Sequence, residues 1–107
     1  MEFNNLRTEV KNSEFDMTRA DSKSYFEAVI KKVNLGGLVL ILESNLGPQA
    51  WPSQARLAKE AEAIINNFGG LRKGQTLYFL KNADYSIFAM LWPWQDGERV
   101  TIKMGKV

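Results

Sequence analysis

Apolar and polar positions alternate most regularly in the last third of the chain, around the dipeptide Asp96-Gly97. Such a pair is a two-residue hairpin signal, because the tight primed turns need positive φ at central positions. Taken as the turn, it pairs Trp94 with Arg99, Trp92 with Thr101, Leu91 with Ile102 and Met90 with Lys103. One face then carries Ile87, Ala89, Leu91, Val100, Ile102 and Met104. The other carries Phe88, Met90, Trp92, Trp94, Arg99, Thr101 and Lys103. A half-solvated sheet would show a polar row on one of these faces. Neither row is polar throughout, so the second face needs a cover: a helix, another subunit or a ligand.

The same alternation predicts strands at residues 75–81, 86–92 and 98–104. An even-length connection through residues 82–85 sets Leu77 and Phe79 beside Phe88, Met90 and Trp92. Tyr78 and Leu80 then fall on the side of Ile87 and Leu91.

Upstream, Tyr25, Phe26, Val29, Ile30 and Val33 form a helical stripe. A helix over residues 22–33 is preferred to a strand, with Gly36-Gly37 as its stop. Residues 38–42 are uniformly apolar, which predicts a strand buried on both faces. A turn-rich loop covers 43–50, and the clearest helix spans 52–68. It opens on Pro52 and buries Leu57, Ala61, Ile64, Ile65 and Phe68. Trp51 is placed as a hydrophobic staple onto Ala55 or the sheet edge. Its alternative is to line a pocket with Tyr25 and Tyr85, and a pocket between sheet and helices, with Tyr25, Tyr78 and Trp51 nearby, could enclose a small hydrophobic ligand. In residues 1–16 only Phe3, Leu6 and Val10 hint at a helix, so this stretch is read as an arm of undetermined order. Residues 17–107 form one domain. The expected fold is α+β: two helices on a mostly antiparallel four-stranded sheet, in the order α-β-α-β-β-β.

Composition narrows the chemistry. At 107 residues, 45% hydrophobic and 24% charged, the chain has the balance of an ordinary globular domain. Its longest apolar run is far too short to span a bilayer, so no membrane partner is expected. Cysteine is absent, which excludes disulfides and thiolate chemistry and accords with a cytoplasmic location. Histidine is absent too, removing the usual general base near neutral pH and the commonest transition-metal ligand. The segment from Gly69 to Gly74 lacks the ending and the strand-to-helix context of a P-loop. Glu43, at the end of the expected buried strand, has no second acid at a catalytic spacing. No catalytic residue, cofactor or metal site is assigned, and an enzyme is disfavoured.

The expectation is a small non-catalytic interaction module that self-associates through the apolar aromatic sheet face. Its candidate interface is Leu77, Phe79, Phe88, Met90, Trp92 and Trp94, and another surface is left for a protein partner. The alternative is a protein binding RNA or single-stranded DNA, or a histidine-free ribonuclease. There Arg72, Lys73, Arg99 and Lys103 would meet phosphates beside the aromatics. Against it stand a net charge of only +2 and the greasy interruptions Leu77 and Met90.

Overall fold

The computed structural model describes residues 2–54 and 56–107. Five antiparallel strands form one sheet in the order β1-β2-β5-β4-β3. They are β1 (Phe15–Asp21), β2 (Tyr25–Lys31), β3 (Thr76–Lys81), β4 (Ser86–Pro93) and β5 (Arg99–Lys106). Three helices complete the fold: α1 (Phe3–Val10), α2 (Leu35–Leu46) and α3 (Lys59–Asn66). The class is the expected α+β. The count is five strands and three helices rather than four and two.

The C-terminal meander has the register that alternation dictates. Trp92 faces Thr101, Leu91 faces Ile102 and Met90 faces Lys103, while Leu77 faces Met90 and Phe79 faces Phe88. The turn itself differs in kind. Gly97 has φ of +71°, whereas no residue other than glycine has positive φ among those described. Asp96 instead closes the loop with its side chain. Its carboxylate accepts the Glu98 and Arg99 N–H groups at 2.8 and 3.1 Å.

Two elements depart from the expected order. Residues 25–31 are a strand because both of its faces are covered. Phe26, Ala28 and Ile30 are buried on one side, while Tyr25 and Val29 are covered on the other. Apolar residues on both sides of a strand give the i, i+1, i+4, i+5 spacing that imitates a helix. Residues 38–42, expected as a strand, lie in α2. Only Leu38, Leu42 and Leu46 are buried there, one per turn, while Leu40 is 65% exposed. Leucine is a strong helix former, and a short apolar run is ambiguous by periodicity alone. Gly36 and Gly37 therefore sit in the first turn of a helix and do not stop one.

The long helix expected over 52–68 is reduced to the two turns of α3. Residues 50 and 51 run beside the outer edge of β3. The Ala50 and Leu77 N–H groups donate to Leu77 and Trp51 carbonyls at 2.7 and 2.8 Å. This pairing covers part of an otherwise open sheet edge. The expected contact of Trp51 with Ala55 lies outside the described residues.

Two layers flank the sheet. On the first face α1 and α2 pack against Ile87, Ala89, Leu91, Val100, Ile102 and Met104. Phe3, Leu6 and Val10 are each no more than 1% exposed, so residues expected as an arm supply one helix of this layer and the start of β1. Arg7 and Lys11 each reach Asp21 at 2.6 Å, tying α1 to the end of β1. On the second face Ile64 and Ile65 of α3, with Phe68 just beyond it, cover Leu77, Phe88 and Met90.

Candidate functional site: the open half of the sheet

The second face divides in two, and Phe68 marks the boundary. Its ring lies 4.5 Å from that of Phe88 and stacks on Tyr25 at 5.9 Å. Beyond it, over β1, β2 and the start of β5, no helix covers the sheet among the described residues. Long side chains cover that half instead.

Trp94 is at its centre. The Arg19 and Arg99 guanidinium carbons lie 5.7 and 5.6 Å from its ring centroid. Its indole N–H donates to the Thr101 hydroxyl at 2.8 Å, which fixes the ring plane. Two residues earlier on β4, and therefore on the same face, the Trp92 ring carries the Lys103 ammonium at 3.8 Å. The cation–π attraction holds each cation against its ring. Trp92 Nε1 is buried without a hydrogen-bond partner among the described residues.

Carboxylates interleave with these cations. Glu27 accepts the Tyr25 hydroxyl at 2.6 Å and lies 3.6 Å from Arg19. Asp16 lies 3.9 Å from Lys31 and 3.8 Å from Arg99, and Asp96 pairs with Arg99 at 2.9 Å. Burial, reinforced by the Glu27 hydrogen bond and charge, pushes the Tyr25 hydroxyl well above its ordinary range. It remains a neutral donor to Glu27 at any physiological pH.

The structure thus separates residues that alternation alone had grouped. Leu77, Phe88 and Met90 are fully buried beneath α3, and Phe79 is half-buried beside them. The apolar part of the expected interface is this chain's own core. Trp92 and Trp94 stay half-exposed, with Arg99 and Lys103 at their rings. Arg72 and Lys73 are exposed in the turn that follows Gly69, and Gly69 itself abuts Trp92. Arg19, Glu27 and Tyr25 belong to the cluster and were not anticipated. The helix assigned to 22–33 and the arm assigned to 1–16 concealed their common face. No regular alternation marks residues 15–21, because β-bulges interrupt their register.

The other candidates resolve into structural roles. Glu43 stands on α2, where its charge and hydrogen bond, after burial, raise the Tyr78 hydroxyl above its ordinary value. Tyr78, Tyr25 and Trp51 do not meet in one pocket. Tyr78 is in the core of the first face, whereas Trp51 lines a separate open cleft of about 500 Å³ with Leu57, Ile65 and Leu71. No group of three potential metal-binding side chains occurs among the described residues, and no described helix is long and apolar enough to cross a membrane. Comparisons with protein-family models, curated proteins and solved structures gave no significant match.

Proposed function

We propose that the chain is a small non-catalytic binding module that receives single-stranded nucleic acid on the open half of its sheet. The observation that carries this reading is the pair Trp92 and Trp94. Trp92 on β4 and Trp94 just beyond its end share one face, each with a cation on its ring; Trp92 packs at the edge of the α3-covered cluster and Trp94 lies on the open half beyond it. An aromatic face already occupied by a cation can exchange it for a nucleobase. The released arginine or lysine is then placed to meet the adjoining phosphate. Leu77 and Met90, whose greasiness argued against such a platform, lie under α3 and leave the partly exposed Trp92 and Trp94 as its aromatics. The test is fluorescence anisotropy of a labelled oligouridylate at low and moderate salt. Micromolar binding that weakens with salt, and weakens about tenfold or more in Trp94→Ala, is expected. Absence of binding by the wild-type chain would discard the reading.

A second reading, self-association through the same half-sheet, draws support from its mixed charge. Asp16, Glu27 and Asp96 alternate with Arg19, Lys31 and Arg99, so the surface can complement a two-fold copy of itself. Sedimentation of wild type against Trp94→Ala reads this directly: a dimer that the substitution dissociates would favour it.

A further inference from the structure

A different surface, on the opposite side of the molecule, is unmatched to water. A helix lying on a sheet normally turns polar residues outward. Along α2 the outward positions are Gly36, Gly37, Leu40 and Ser44, preceded by Val33 in the short turn before the helix. Val33 is 87% and Leu40 65% exposed, the two most exposed large hydrophobic residues described. Glycine is the poorest helix former after proline, yet two stand side by side in the first turn. A Cβ added at either would meet nothing within 4 Å, so packing within the chain gives no reason for them.

Charge at the two ends indicates what fits this stripe. Lys32 precedes it, and Glu43 closes it. Its centre, midway between Lys32 and Glu43, falls at Gly37 and Leu38. A second α2 laid antiparallel about a two-fold axis there sets each Lys32 against the Glu43 of its mate. It also opposes the helix dipoles favourably. The same operation brings Leu40 of one copy level with Leu35 of the other, next to Gly36, where a missing side chain leaves room for it. A parallel arrangement would instead set lysine on lysine and Glu43 on Glu43.

We infer that α2 is the self-association surface of this chain, pairing antiparallel with α2 of a second copy. Such a dimer leaves both open half-sheets facing outward, so it does not depend on what they bind.

The absence of cysteine makes the test clean. Sedimentation of the full chain up to about 100 µM is expected to show a concentration-dependent dimer, with Leu40→Lys monomeric. Circular dichroism on Leu40→Lys checks that it remains folded. Under a mild oxidant, Gly37→Cys, near the axis, is expected to cross-link between copies, whereas Ser44→Cys, far from its mate, is not. Three results would overturn the inference: a monomer throughout the range, an undiminished dimer in Leu40→Lys, or cross-linking of Ser44→Cys as ready as that of Gly37→Cys. A dimer lost in Trp94→Ala but kept in Leu40→Lys would place self-association on the sheet instead.

Discussion

The ring of Trp92 lies so close to Gly69 that a Cβ on the glycine would fall 2.6 Å from its Cη2 atom. Gly69 also has φ of +103°, outside the range a side chain adopts without strain. One residue thus ends the α3 segment and positions one of the two tryptophans of the open face. Gly69→Ala is expected to cost about 1–3 kcal/mol in chemical denaturation. It should also displace the Trp92 indole resonance, because the ring must turn to admit the methyl group. Unchanged stability together with an unmoved indole would remove Gly69 as the positioning contact.

The N-terminal helix is part of the core. Leu6 is fully buried beside Phe3 and Val10, against the sheet face that α2 also covers. Leu6→Ala is therefore expected to destabilise the fold by about 2–5 kcal/mol, the range for an emptied leucine site. A loss below half a kilocalorie, read by denaturant midpoint at constant slope, would return residues 3–10 to the status of an arm.

The tie between α1 and β1 carries a pH signature. Hydrogen bonding from Lys11 holds the Asp21 carboxyl below its ordinary value of 3.8; partial desolvation opposes this, and the Arg7 hydrogen bond and both charges add to it. A carboxylate lowered in the folded state contributes stability that is complete above its unfolded pKa. That contribution is lost as pH falls through the lower folded value. Thermal midpoints should therefore drop in wild type below about pH 4, and less steeply in Asp21→Asn. Identical slopes for the two proteins would show that the triad stabilises nothing. Asp96, lowered first by the Glu98 N–H, titrates on the same side and is controlled by Asp96→Asn.

The parts of this molecule legible in its sequence are those where one rule acts alone. In β3, β4 and β5 a period of two and a loop of fixed length determine register, and Trp92, Trp94, Arg99 and Lys103 follow onto one face. The upstream half was misread where two rules compete. Covered faces on both sides of β2 alias to a helical spacing. The leucine-rich run of α2 satisfies the strand pattern as well as its own. β1 is a bulged edge strand with Asp16, Arg19 and Asp21 along it, so it shows little apolar alternation. Half of the candidate site was lost with it.

The central claim, that Trp92 and Trp94 form the recognition surface, is tested most directly by the three tryptophan indole N–H resonances. Trp51 lines the cleft beside α3, which neither Trp92 nor Trp94 lines. On titration with a single-stranded oligonucleotide, the Trp92 and Trp94 signals are predicted to shift in a saturable, salt-sensitive way while that of Trp51 stays fixed. If Trp51 alone moves, or none moves at concentrations that saturate binding, the account is contradicted.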